Sequence, residues 1–502
     1  MNTPIERLVI IGGGTAGWIA AASLAKFLGR TVKITLVESD AIGTVGVGEA
    51  TIPQIRKLNA SLGLNEAEFI RATQGSFKLG IEFNDWGHIG ESYLHTFGDP
   101  GIDLAGLKFH HYWLRAVNSG AVNSSFWDYS LHNRAAYSHK FAPLQRVGNT
   151  QMGGLSYAYH FDAGLYAKHL RKLAESLGVT RREGRVTDVA LMSETGFIKS
   201  VTLESGETLD GDFFIDCSGF RGLLIGDALG VDYIDWSKYL PCNRAVAVGC
   251  EATAPLLPYT KSTAREAGWQ WRIPLQHRTG NGHVWCDGFT TQDEATTRLL
   301  QSLDGTLKGA PKQLSFTTGR RKDFWSKNCV SLGLSSGFLE PLESTSIHFV
   351  QSHVSRLLEF FPDKNCGGAT RAEYNRVVGK EFELVRDFLV LHYKQTRRDD
   401  TEFWRYCRYM EIPDSLAHKM ELFSETGHIY REIDDLFRES SWTQVMLGQG
   451  LIPTGYHRMA DKLTDAQLKQ FMGDVDALIG KTVKPLPGHA EFIANNIMRR
   501  DA

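Results

Sequence analysis

Cysteine is scarce and scattered. The 7 cysteines are Cys217, Cys242, Cys250, Cys286, Cys329, Cys366 and Cys407, and none forms a CxxC pair. That pattern argues against a disulfide framework and against a zinc site, and it points to a reducing, cytoplasmic compartment. The 17 histidines contain no HExxH, so no metal ligand set is expected. An excess of positive charge is also missing. Lys and Arg total 55 against 57 acids, a net charge of -2, so nothing argues for nucleic acid as a partner. Long apolar runs are absent save for the uncharged stretch Leu8 to Ala25. Gly12, Gly13, Gly14 and Gly17 interrupt it, so neither a signal peptide nor a membrane span is expected. There are no internal repeats and no low-complexity segments. What remains is a 502-residue globular chain, 42% apolar and 22% charged, long enough for a large core.

The glycines that break the apolar run have their own pattern. "RLVIIGGGTAGWIAAASLAKFLG" reads as strand, glycine turn and a helix from about 16 to 28. "TVKITLVES" reads as a second strand, which completes a βαβ unit. Gly12-Gly13-Gly14-Thr15-Ala16-Gly17 fits GxGxxG in that context. Gly12 permits the tight turn, Gly14 lets a pyrophosphate approach the backbone, and Gly17 lets helix and strand pack closely. The helix start at Thr15 and Ala16 then faces the phosphates. Glu38 ends the second strand, roughly twenty residues on, placed to accept from ribose hydroxyls. This is a dinucleotide fingerprint, and there is one of it. A second strand-to-glycine turn, "IDCSGF", lies far along the chain and suits an extended FAD better than NAD.

Further on, "LYAKHLRKLAESLG" has helical spacing at Leu170, Leu173 and Leu177. "RVTDVALM", "GFIKSVTLES", "ETLDGDFFIDCSG" and "NCVSLGLSSGF" read as β segments. Beyond Ser352 the pattern is mainly helical. The expected fold is α/β: a Rossmann-type FAD-binding core of the flavin monooxygenase kind, with mixed sheets and a largely helical C-terminal region. The core is expected over 1–350, with Rossmann pieces at about 5–60, 160–225 and 325–350. Residues 351–502 are expected as a substrate-side region packed with the core.

Several residues have two readings. In "WQWRIP", Trp269 and Trp271 fall on one face of a strand, which is either a core wall or a functional one. Lys78 lies in the apolar run "GSFKLGIEF". A lysine there either snorkels to the surface or, if buried, becomes a nucleophile and hydrogen-bond donor. Glu340 and Glu343 in "GFLEPLESTSI" either cap a helix start or act on protons. "GVGEATIP" is either a plain turn or a cofactor loop, and the His95-x-Phe97 of "LHTFG" is either packing or a ring clamp.

Together with "GGGTAGW", these stretches resemble the flavin-dependent tryptophan halogenases, in that family's order from residue 8 to about 350. The resemblance implies FADH2- and oxygen-dependent chlorination or bromination of an aromatic ring by hypohalous acid. It implies that Lys78 holds or reacts with that acid, and that Glu343 assists and takes a proton. Thr345 and Ser346 match the halide-binding amides. Glycine is usual where this chain has Ser346, a change that bears on halide fit. Trp269 and Trp271 match the wall beside the flavin, and His95 and Phe97 match residues that flank the substrate ring. Gly46 to Pro53 matches a strap over the cofactor. The cofactor set implied is Gly12, Gly14, Thr15, Ala16, Gly17, Glu38, Ser39, Val47, Gly48, Glu49, Ala50, Val186, Leu334 and Ile347.

With no nicotinamide site evident, a separate NAD(P)H-dependent flavin reductase is the expected partner. No membrane partner is expected, and a homodimer stays open. An FAD-dependent aromatic hydroxylase is the runner-up, and a non-catalytic FAD-binding protein ranks last. Free tryptophan is not the expected substrate. "SSWTQVMLGQGLIPTGYHRMAD" has no Tyr-Tyr pair and no acid from Ser440 to Arg458 to meet an ammonium. Its glycines and proline suggest an open loop. Indole, or a larger indole-bearing molecule, is the expected substrate.

Overall fold

A computed structural model describes residues 3–41 and 48–499. The strap assignments at Gly46 and Val47 lie outside the described residues. The chain divides into two compact units, each assembled from three separated segments: Met1–Gly75, Phe161–Ser237 and Ser315–Glu383 in one, Ser76–His160, Lys238–Leu314 and Leu384–Ala502 in the other. The expected division at residue 350 is not where these units part. The helix Ser346–Glu359 belongs with the dinucleotide sheet, while 76–160 and 238–314 belong with the C-terminal helices.

The first unit is built on a six-stranded sheet. Its order is Thr180–Glu183, Lys33–Glu38, Arg7–Ile11, Phe213–Asp216, Cys329–Ser331, Trp325–Ser326. The first five strands run parallel, and the last returns antiparallel. Leu8, Val9 and Ile10 are 0–2% exposed, as a parallel strand covered on both faces requires. The helix Thr15–Leu28 follows the first strand and packs on the helices Ala163–Ser176 and Ser346–Glu359. A three-stranded antiparallel sheet, Val186–Leu191, Ile198–Leu203 and Thr208–Asp210, packs Ile198, Val201 and Leu203 with Val9, Val37 and Phe214.

The second unit has a seven-stranded sheet. Its order is Leu307–Ser315, Arg244–Cys250, Thr279–Trp285, Gly268–Pro274, Thr260–Arg265, Gly80–Asn84, Ser92–Thr96. Helices Phe109–Asn118, Leu131–Tyr137, Glu439–Gly448 and Asp465–Val483 accompany it. The short strand Ser76–Lys78 pairs antiparallel with residues 158–160. No helix among the described residues is long and apolar enough to cross a membrane.

Candidate active site

In the first unit the parallel strands end together, at Ile11, Glu38, Asp216 and Ser331, and such an edge is where an open α/β sheet takes its ligand. Gly12 has φ 111°, and a Cβ there would lie 2.2 Å from the Cys217 carbonyl oxygen. A Cβ on Gly17 would lie 1.9 Å from the Gly12 oxygen, so this glycine sets the helix-to-strand approach. At Gly14 an added Cβ meets nothing within 4 Å, and the helix behind it has no side-chain cap. Space and free first-turn N–H groups at Thr15, Ala16 and Gly17 thus coincide, which fits the pyrophosphate of FAD.

Glu38 is more engaged than its sequence position suggests. Its Oε1 accepts from Arg181 Nε at 2.5 Å and Arg171 Nη1 at 3.4 Å, and its Oε2 accepts from the Trp18 indole at 3.2 Å. Lone pairs remain for a ribose. Neither arginine was legible as a partner, because both sit more than 130 residues away. Beside it, Ser39 accepts from the Ala41 N–H at 3.3 Å. Glu49 is half-buried and Ala50 buried on the strand Glu49–Ala50, with Gly48 buried before them. Burial, then the charge of Asp162, pushes Glu49 up to about 7. Leu334 lies in the turn Gly333–Ser335, whose Gly333 would carry a Cβ 2.8 Å from that of Ala16. Ile347 is buried, and Val186 is half-buried at the head of its strand. "GLSSG" (Gly333 to Gly337) has the spacing of a hydrolase nucleophile elbow. Ser335, however, is buried and its hydroxyl lies against the Asp216 carbonyl at 2.5 Å and that of Leu332 at 2.9 Å.

Glu343 ends the 3-10 turn Pro341–Glu343 and is 1% exposed; Glu340 is fully buried. Ser344 follows at φ 60°, a costly conformation for a non-glycine, and turns the chain into the helix Ser346–Glu359. Thr345, at the N-cap of that helix, makes no side-chain cap, and its buried Oγ1 has no hydrogen-bond partner. Its first amides and Ser346 form an anion-friendly start. One turn on, Glu381 holds the helix: it accepts from His348 Nε2 at 2.8 Å and Ser352 Oγ at 2.7 Å. Burial alone would raise Glu381; the His348 hydrogen bond and charge overcome it and hold the carboxyl down at about 2.

In the second unit Lys78 has 0% exposure, so it does not snorkel. Its Nζ lies 5.3 Å from the Phe97 ring centroid. Neighbouring Ser76 donates to the Pro274 carbonyl at 2.8 Å and meets His160 Nδ1 at 3.1 Å, which ties the lysine strand to the end of "WQWRIP". Trp269 and Trp271 do share a face, with ring centroids 6.1 Å apart. Trp269 pairs opposite Val284 and Trp271 opposite Gly282, and a Cβ at Gly282 would strike the Trp271 ring at 2.0 Å.

The family model for tryptophan halogenase matches residues 7–465. The chain belongs to the tryptophan halogenase family. It is an enzyme, a flavin-dependent halogenase, and uses a flavin and a halide. Its fold superposes on Xcc4156, a flavin-dependent halogenase from Xanthomonas campestris, with TM-score 0.95 and 47% identity over 99% of this chain and 100% of that one. BrvH, a flavin-dependent halogenase from Brevundimonas sp. BAL3, gives TM-score 0.94 and 43% identity over 98% and 99%. The tryptophan 6-halogenase ThaL of Streptomyces albogriseolus is 37% identical over 90% of this chain and 91% of its own length.

The halogenase has aromatic residues around His95 that the sequence reading passed over. Phe388 lies 5.6 Å and Phe437 6.4 Å from His95, ring to ring, and the two phenylalanines stack at 3.8 Å. Trp442 meets Phe388 edge-on at 4.8 Å. Only tertiary packing gathers them, since Phe388 and Phe437 sit in different elements. The expected open loop around Gly448, Gln449, Gly450, Pro453 and Gly455 is corrected only at its start: Glu439–Gly448 is a helix, buried from Trp442 to Leu447, and residues 449–457 beyond it belong to no helix or strand. Gln444 accepts from both the Thr96 N–H and hydroxyl, at 3.0 and 2.9 Å. Gln449 donates to the His392 and Gln395 carbonyls. Gly448 serves packing rather than motion, because a Cβ there would lie 2.4 Å from the Tyr93 ring.

Proposed function

We propose that this halogenase chlorinates or brominates an electron-rich, indole-type ring, with Lys78 as the residue that hands over the halogen. Reduced FAD, when bound, supplies the chemistry that turns oxygen and halide into hypohalous acid. The open turn at Gly14 with Thr15, Ala16 and Gly17 supports FAD there, and the helix start at Thr345 and Ser346, where Thr345 makes no side-chain cap, supports the halide. The observation that carries the reading is Lys78: a lysine with no exposed surface, beside Phe97, in a chain of this family. In its neutral form a lysine amine is a nucleophile and a hydrogen-bond donor. That amine holds the acid by hydrogen bonding or captures its halogen. In capture, an N–halogen bond forms, the halogen–oxygen bond breaks, and the oxygen leaves as water with the acid's hydrogen and one amine hydrogen. As the ring attacks the halogen, the N–halogen bond breaks and the nitrogen regains a hydrogen from water to leave as the neutral amine, while Glu343 takes the ring proton. Keeping the oxidant in a closed path to a fixed donor is what gives selectivity. The single dinucleotide fingerprint supports a separate NAD(P)H-dependent flavin reductase as the source of FADH2.

Lys78→Ala tests this. The variant should fold and retain the spectrum of bound oxidised FAD, but give no halogenated indole with FAD, a reductase, bromide and oxygen. Product at the parent rate would overturn the assignment.

Indole should be preferred to free tryptophan. Asp435, which meets Trp442 beside the ring wall, is spent: it takes Lys419 Nζ and the Trp442 indole, both at 3.1 Å, and the Phe437 N–H at 3.1 Å. Glu439 is half-buried and faces Lys108. A zwitterion entering beside His95 and Phe97 would leave its ammonium unpaired, which is costly in a partly buried site. Equal concentrations of indole and tryptophan in one reaction, scored by product ratio, check this; a clear excess of halotryptophan would refute it.

A further inference from the structure

The strand that carries Lys78 is the edge of its sheet. Lys78 pairs opposite Ala158 on one side, so alternate backbone groups point away from that ladder. An edge strand inside a protein must find other partners for those groups. Here the Phe77 N–H donates to His489 Nε2 at 3.1 Å, and the Leu79 N–H donates to the Pro258 carbonyl at 2.7 Å. His489 also reaches the Leu256 carbonyl through Nδ1 at 3.0 Å. A carbonyl only accepts and an amide N–H only donates, so the partners fix the ring as neutral with its hydrogen on Nδ1. Burial pushes His489 down to about 4, which keeps that form at neutral pH. His489 is 1% exposed and is held in its turn: its backbone N–H donates to the His139 carbonyl at 2.8 Å, and Phe141 and Phe492 pack around Phe77 at 4.2 and 5.6 Å.

We propose that His489, some four hundred residues beyond Lys78, is the positioning residue for the lysine: its imidazole joins the loop Leu256–Pro258 to the free edge of the Ser76–Lys78 strand and sets where the amine stands. This rests on the reading of Lys78 as the halogen-transfer residue. Without the ring, the Phe77 N–H and the Leu256 carbonyl lose their partners together, and the strand edge can shift. A displacement of about 1 Å at a reacting group can cost on the order of 100-fold. The loss falls on transfer from the lysine, so oxidant escapes instead of reaching the ring.

The readout is halogenated indole formed per FADH2 oxidised, with a β-diketone trap for free hypohalous acid, using FAD, a reductase, bromide and indole. His489→Ala should lower product per flavin about 10- to 100-fold and raise trapped halogen correspondingly, with KM for indole held. His489→Gln, whose amide can both accept from Phe77 and donate to Leu256, should recover most of the coupling. His489→Asn, which is too short to span both, should not. If His489→Ala does not fold, the Gln and Asn pair carries the test. Parent-like coupling in His489→Ala or His489→Asn, alongside a Lys78→Ala that makes no product, would overturn the positioning role. So would equal losses of flavin oxidation and product with no trapped halogen. Full product from Lys78→Ala would overturn the lysine assignment itself, and the positioning role with it.

Discussion

Glu340 and Glu343 are three residues apart and both buried, yet they are expected to do different work. Glu343 closes the turn just before Ser344 and the helix start at Thr345, the region proposed to bind the halide. Removing a group that takes a proton in the rate-limiting chemistry costs about 100- to 10,000-fold. Glu343→Gln should therefore lose halogenation on that scale while still binding FAD. Glu340→Gln should lose much less, its effect appearing in thermal stability instead. Product formation rates and thermal unfolding of the two variants, measured side by side, check this; equal rate losses would show that the site has been misassigned. The sequence alone left both glutamates open as helix caps. The structure shows that Thr345, at the N-cap, makes no side-chain cap to the helix that follows, a fact that spacing could not supply.

At the scale of elements, the glycine turn was the most legible part of the chain, because each glycine answers a local demand. The strand, turn, helix and second strand fall where the pattern put them, with the helix at Thr15–Leu28. The misread boundary was the start of the loop around Gly448–Gly455, which begins only after the helix Glu439–Gly448. Gly448 and Gly450 look like loop residues, but Gly448 makes room for Tyr93, and that need arises only once a distant strand is packed against the helix. The turn itself yields a contrast that separates folding from binding. Gly12→Ala puts a Cβ into the Cys217 carbonyl at a φ that alanine avoids, so the apo protein should be markedly destabilised. Gly14→Ala meets open space at an ordinary φ of -72°, so apo stability should stay within about 0.5 kcal/mol of the parent. Its methyl occupies the place proposed for the pyrophosphate, so FAD affinity should fall tenfold or more, about 1.4 kcal/mol. Apo melting temperatures and FAD titrations of the two variants decide the matter. Parent-like FAD binding by Gly14→Ala would move the phosphates elsewhere.

The whole molecule was less legible than its parts. Each compact unit is stitched from three distant segments, and periodicity along the chain cannot report which segments will meet. The same stitching buries histidines in number. Burial pushes His110, His132, His283, His353 and His489 down to about 4. His111 is pushed to about 2, by burial first and then by the neighbouring rings of His110, His428 and His457. His110 and His111 lie 4.1 Å apart, and His111 and His428 4.7 Å. Every one of these groups takes a proton in the unfolded chain near pH 6.5 and refuses it in the fold. The stability they contribute is therefore present above about pH 6.5, and it is lost as the pH falls towards 4. Glu49, raised to about 7, and Asp435 and Glu439, which burial also raises, act in the opposite sense but are three groups against these six histidines. Glu381, held at about 2, adds to the loss once the pH drops below the ordinary carboxylate range. Each proton of difference changes stability by about 1.4 kcal/mol per pH unit, so even partial expression of six sites is large against a typical total of about 5–15 kcal/mol. The melting temperature of the apo protein should hold between pH 8 and 7 and then fall steeply between about pH 6.5 and 4. His111→Phe, which removes the ring hemmed in by three others, should flatten the acid limb. Melting curves of both proteins across that range check the sign and the source: a parent protein as stable at pH 4.5 as at pH 7.5, or an unchanged slope in the variant, would mean that the buried histidines are not what makes the fold acid-sensitive.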